Sequence, residues 1–101
     1  MRLRRRKPVE IVVWFVYVVW SEKLRKRYVG STEDEAERLR DHNLGRTPFT
    51  RRGVPWTLIH SEAFETLVGA RRRERFLKSG VGRKWLDEQF PYYRRGARAA
   101  E

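Results

Sequence analysis

The chain has 101 residues, enough for one domain with a single core. Its 40% hydrophobic and 13% aromatic content supports a packed interior and excludes a disordered tail, while 24 Lys and Arg against 13 Asp and Glu leave a net charge of +11. That excess points first to nucleic acid and second to an anionic membrane surface, and the lack of cysteine excludes disulfides, thiolate zinc sites and cysteine nucleophiles.

Residues 1–9 form a basic arm with Arg2, Arg4, Arg5, Arg6 and Lys7. The apolar run Ile11 to Trp20 follows, in the order that a secretory signal would have. No small-residue cleavage site comes after it, and it is far shorter than the roughly 20 residues of a membrane helix. Its Val, Trp, Phe and Tyr content predicts a strand buried on both faces, and a cytoplasmic protein is expected. Ser21 to Lys26 reads as a turn and Arg27 to Ser31 as a second strand of an antiparallel hairpin. Thr32 to Glu35 reads as a capping box opening a helix that runs to about Leu44 and stops at Gly45. Arg46 to Pro55, with Pro48, Gly53 and Pro55, reads as a loop exposing Arg51 and Arg52. A third strand is predicted over Trp56 to Phe64, a second helix over Thr66 to Ser79 ended by Gly80, and a short third helix over Arg83 to Phe90. The fold class is α+β, a three-stranded antiparallel sheet flanked by helices in the order β-β-α-β-α-α. The folded domain is placed at 10–90 and a basic tail at 91–101.

Much of the remaining charge falls between Arg71 and Lys84, where Arg71, Arg75, Lys78, Arg83 and Lys84 are candidate phosphate contacts. Glu74 stands out in this strip. Leu67, Ala70 and Leu77 mark the apolar stripe of the second helix, and Glu74 fills the vacant slot on it. Arg71, Arg75 and Lys78 are expected to spread towards solvent, so an ion pair is not the expected role of a carboxylate placed there. A divalent ion beside phosphodiester DNA would use it. If Ser21 pairs with Lys26, Tyr28 faces Val19 and Tyr17 lies diagonally on the same face, so two phenols share one surface. Arg38 and His42, four apart on the first helix, are placed to reach one phosphate. Each of these residues also has an ordinary structural reading: strand aromatics for the tyrosines, a pair with Asp34 for Arg38, and a helix-end cation for His42.

Their joint order resembles the GIY-YIG nuclease family, in particular its small stand-alone bacterial members. Phe15-Val16-Tyr17 stands where that family has Gly-Ile-Tyr, and Tyr28-Val29-Gly30 stands where it has Tyr-Ile-Gly. Arg38 lies in a segment, Glu37 to Gly45, similar to the family's arginine helix, and Arg71 to Trp85 resembles the helix bearing its glutamate. Gln89 is the candidate counterpart of an asparagine that several members place after the glutamate. The resemblance implies a metal-dependent DNA endonuclease with one Mg²⁺ or Mn²⁺ on Glu74 and no small-molecule cofactor. Arg38 would counter charge on the phosphorane-like transition state. Tyr17, assisted by Tyr28 or His42, would take the proton from the attacking water, provided that neighbouring cations lower its pKa. Duplex, branched and damaged DNA are all open as substrates, as is the oligomeric state. The alternatives are a non-catalytic basic nucleic-acid-binding module on the same fold, such as an RNA binder with stacking aromatics, and, more weakly, an anionic-membrane binder.

Overall fold

Strand β1 (Trp14–Ser21) is the centre of the sheet, with β2 (Lys26–Thr32) on one side and β3 (Trp56–Phe64) on the other, both antiparallel to it. This computed structural model describes residues 12–96, so the expected basic arm and residues 97–101 of the tail lie outside the described residues. Flanked by strands and covered by helices, β1 is buried without interruption from Val16 to Ser21, as its unbroken apolar run predicts. The hairpin register pairs Ser21 with Lys26, Val19 with Tyr28 and Tyr17 with Gly30.

Helices α1 (Glu35–Asn43), α2 (Leu67–Lys78) and α3 (Gly80–Gln89) complete the expected order. Against one sheet face, Ala70 and Leu77 of α2 and Leu86 of α3 pack on Val16, Val18 and Val29. On the other face, Tyr17, Val19 and Trp56 form a second cluster with Tyr28 and with Leu39 of α1. The period-2 alternation along β1 thus sends Tyr17 to the α1 side and its neighbours Val16 and Val18 to the α2 side.

Three boundaries differ from expectation. The α1 cap is Asp34, which accepts from the Glu37 amide at 3.0 Å, and not Thr32. Thr32 still belongs to β2, paired with Phe15, and its hydroxyl accepts from the Asp34 amide two residues on. Gly80 opens α3 instead of merely ending α2: Ser79, in extended conformation, terminates one helix and caps the next by accepting from Gly82 N at 3.2 Å. Finally, residues 91–96, read as the start of a tail, are built into the body. Pro91–Tyr93 forms a short 3-10 turn, Tyr93 stacks edge-on against Trp20 at 5.6 Å, and the Tyr92 hydroxyl donates to Glu22 at 3.1 Å. The two aromatics give this basic segment a docking surface that its charge concealed.

Candidate active site

Tyr17, Tyr28 and His42 meet on the α1 face of the sheet. The phenol centroids are 6.4 Å apart, and Tyr28 meets the His42 ring edge-on at 5.1 Å. The Tyr17 hydroxyl lies 2.9 Å from His42 Nε2, and both side chains are buried. His42 is therefore not the solvent-facing partner of Arg38 that helix spacing suggested, and it has no route to a phosphate. Its other nitrogen, Nδ1, lies 2.7 Å from the Thr50 hydroxyl and 2.8 Å from that of Thr47. Thr50 donates to the Thr47 carbonyl at 3.3 Å, and the two hydroxyls also contact each other. Each of these hydroxyls can donate or accept, so together they hold the ring through Nδ1 in either tautomer. In the tautomer with the proton on Nδ1, Nε2 accepts the hydrogen of the Tyr17 hydroxyl.

Burial, with the charge of Arg38 adding to it, lowers the His42 pKa below its ordinary value, so the ring is neutral at neutral pH. Burial also raises the pKa of Tyr17, although Arg38 beside it pulls in the other direction. The condition set for Tyr17 as a resident base, a pKa lowered by neighbouring cations, is not met here, because desolvation outweighs Arg38. The phenol in turn raises the pKa of the half-buried Arg38 guanidinium.

Gly30 makes this arrangement possible. Its partner across the hairpin is Tyr17, and a Cβ built on it would lie 2.5 Å from the phenol oxygen and 2.7 Å from Cζ. The phenol lies over the gap that the missing side chain leaves in β2.

Glu74 approaches that strand from the opposite face. Its Oε1 accepts from the Ser31 hydroxyl at 2.7 Å and its Oε2 from Lys78 Nζ at 2.6 Å, with the carboxylate side chain 14% exposed. The Lys78 pair corrects the expectation of an unpaired carboxylate, since an i,i+4 lysine at the helix end reaches back along α2. Burial raises the Glu74 pKa, but the bonds from Lys78 and Ser31 outweigh it and the net shift is downward. Gly30 and Ser31 are adjacent on the edge strand, so the phenol and the carboxylate meet neighbouring positions of β2 from opposite faces, and the charge of Glu74 contributes to the raised pKa of Tyr17. A cleft of about 410 Å³ is lined by Trp14, Ser31, Arg38 and acidic residues of the β2 to α1 segment.

Among the described residues no cluster of three or more His, Cys, Asp or Glu side chains is arranged to hold a metal. Glu74 nonetheless fits a divalent ion shared with substrate, because Mg²⁺ is commonly held by one or two carboxylates, waters and phosphate oxygens. The Lys78 ammonium already occupies the cation position on Oε2.

The other expected phosphate contacts are dispersed. Arg51 and Arg52 are exposed on a 3-10 turn, Arg51–Gly53, in the loop after α1. Arg71 and Arg75 are exposed on α2, and Arg83 and Lys84 on α3. Lys78 and Arg83 share a cleft of about 250 Å³ with Lys26 and Arg95 around a floor of Val29, Leu77 and Leu86. Gln89 is exposed at the last residue of α3. Sequence reasoning missed Ser31, Thr47, Thr50 and Asn43. Asn43 bonds both the amide and the carbonyl of Trp56, at 2.6 and 3.1 Å, tying the end of α1 to the start of β3. The sequence signals available were the polar pair flanking Pro48 and Phe49, and the asparagine directly after His42.

The model of the GIY-YIG catalytic domain matches residues 13–85, from β1 into α3, and so spans Tyr17, Tyr28, Arg38, His42 and Glu74. The chain belongs to the GIY-YIG family. GIY-YIG domains are nuclease domains, acting on nucleic acid and generally using divalent metal ions. A UPF0213 protein of Haloquadratum walsbyi is 38% identical over 66 residues, which cover 64% of this chain and 73% of that protein. No solved structure matches the chain significantly. No helix among the described residues is long and apolar enough to cross a membrane.

Proposed function

We propose that this GIY-YIG chain is a divalent-metal-dependent endonuclease that hydrolyses phosphodiester bonds of DNA. The observation that carries the reading is the Tyr17 hydroxyl facing Nε2 of a buried neutral imidazole at 2.9 Å, with Arg38 beside the phenol. A phenol with a raised pKa is a poor resident base, but one that donates to an acceptor can take a proton as it releases its own. Water attacks phosphorus and loses a proton to the Tyr17 oxygen, while the phenol proton passes to His42 Nε2. The bond from phosphorus to the leaving oxygen breaks, and that oxygen is protonated from solvent. Arg38, held firmly protonated, faces the charge that accumulates on the phosphoryl oxygens. Tyr28, against the same imidazole, positions the pair. Glu74 would hold the divalent ion, whose Lewis acidity stabilises phosphate and leaving-group charge.

Duplex, single-stranded, nicked and branched DNA offered with Mg²⁺ or Mn²⁺ tests the reading. Cutting of at least one substrate is expected, abolished by EDTA, by Glu74→Ala and by Arg38→Ala while binding persists. Retained cutting by Glu74→Ala would place the chemistry elsewhere, and tight binding with no cutting of any substrate would make the chain a binding module.

A further inference from the structure

The loop that follows α1 combines two features that rarely occur together. It is fastened from beneath, and it displays a large apolar ring to water. Thr47 to Thr50 is a turn closed by the Thr50 amide on the Thr47 carbonyl at 3.2 Å, with Pro48 and Phe49 at its centre. Thr50 is fully buried, its hydroxyl on His42 and its carbonyl accepting from Trp56 Nε1 at 2.7 Å. Arg51 adds two more ties, its amide to the Thr47 carbonyl and its Nε to the Gly45 carbonyl. Yet Phe49 is 91% exposed, the most exposed large apolar side chain among the described residues. Exposed Arg46, Arg51 and Arg52 surround it in sequence, with Arg46 paired to Asp41.

We propose that Phe49 is a stacking platform for an unpaired DNA base beside the cleavage site, which rests on the nuclease reading above. A phenyl ring on a preformed turn has little conformational freedom to lose on stacking, and the flanking guanidinium groups suit the phosphates on either side of a displaced base. The ring belongs to the turn whose Thr50 hydroxyl contacts His42, and His42 in turn contacts Tyr17, so one loop carries the ring and backs the candidate site. A second copy of this chain is a poor occupant, because it would bring the same arginines face to face. An anionic membrane also matches an aromatic among arginines, but a single ring is a weak anchor.

The test uses the full chain in EDTA, so that no strand is cut, at one fixed salt concentration. A DNA duplex carrying one bulged base is compared with the same duplex fully paired, against wild type, Phe49→Ala, Phe49→Leu and Phe49→Tyr. Phe49→Ala and Phe49→Leu are expected to weaken binding of the bulged duplex by about tenfold, with the paired duplex nearly unaffected and Phe49→Tyr close to wild type. Melting temperatures should be the same for all four, because the ring is outside the core. If wild type binds both duplexes and Phe49→Ala binds them equally well, the platform is refuted while the nuclease reading stands. If wild type binds neither duplex, both fail. Loss of phosphatidylserine-vesicle binding in Phe49→Ala, with DNA binding intact, would assign the ring to a membrane and overturn the proposal.

Discussion

Replacing Gly30 with alanine should dismantle the Tyr17 to His42 contact without touching either residue. Among the described residues the glycines with left-handed backbones are Gly45 and Gly96, so alanine at position 30 meets no backbone objection and the cost is one of space alone. The added methyl would lie 2.5 Å from the phenol oxygen, 2.7 Å from Cζ and 3.0 Å from Cε1. Non-bonded carbon contacts settle at about 3.5 Å or beyond, so the ring must retreat by about 1 Å. A retreat of that size breaks the 2.9 Å bond to Nε2. Overpacking of this kind costs about 1–3 kcal/mol, and a buried acceptor left without its donor costs about 1–3 kcal/mol more. The lower unfolded-state entropy of alanine offsets about 0.4–1 kcal/mol. The net, about 3 kcal/mol, corresponds to a melting temperature lower by about 10 °C or more in a domain of this size. Thermal melts at pH 7 and a cleavage assay on the best DNA substrate read the two effects. Tyr17→Phe is the control: it should lose cutting at a smaller stability cost, about 1 kcal/mol, because nothing is overpacked. In the Tyr17→Phe background Gly30→Ala should cost less than it does alone, since the closest contact and the bond have both gone. A Gly30→Ala protein that melts and cuts like wild type would refute the packing argument.

Three further expectations follow from the same geometry. Burial lowers the His42 pKa in the folded chain, so the stability it contributes is complete above the ordinary imidazole value of about 6.5 and declines as pH falls below it towards the folded value. Chemical denaturation at pH 7.5 and 5.5 should show this loss in wild type, and His42→Gln, less stable at pH 7.5, should show a smaller one. Thr50→Val removes the hydroxyl bonded to Nδ1 and its contact with Thr47, so it should slow cutting with little effect on DNA affinity, as measured by single-turnover rates beside anisotropy. Lys78→Met frees Oε2 of Glu74 and should lower the Mg²⁺ concentration giving half-maximal thermal stabilisation, while costing the fold no more than about 1 kcal/mol.

The hairpin and its two phenols were legible because period-2 alternation and a four-residue turn together fix register, and register alone decides that Tyr17 and Tyr28 share a face. Glu74 was legible as a charge on an apolar stripe, but its partners were not. Ser31 comes from a strand 43 residues away, and whether Lys78 turns to solvent or back along the helix is a rotamer choice that spacing leaves open. His42 was misplaced for a related reason. An imidazole near a helix end looks solvent-facing until a loop closes over it, and the residues that close over it, Thr47 and Thr50, sit in a segment whose prolines and glycine advertise only the absence of regular structure. The start of α3 was misjudged because Ser79, able to cap one helix while ending another, was hidden behind the more conspicuous Gly80. Tyr17 shows the same limit in electrostatics: the cations are countable in the sequence, whereas the desolvation that outweighs them depends on packing.

Glu74→Gln, measured for DNA affinity and for cutting on the same substrate, bears most directly on the claim that this chain is a metal-dependent nuclease built around Tyr17, Arg38 and Glu74. The amide keeps the volume of the side chain, its one carbonyl oxygen can accept from Lys78 and its NH2 can donate to the Ser31 hydroxyl, so the fold should survive with a loss of about 1 kcal/mol or less. Affinity in EDTA should stay within a few-fold of wild type, because the exposed arginines are untouched. Single-turnover cutting in Mg²⁺ should fall by at least about a hundredfold, the scale on which removing one preorganised electrostatic group acts. Wild-type cutting by Glu74→Gln, at wild-type affinity, would contradict the account.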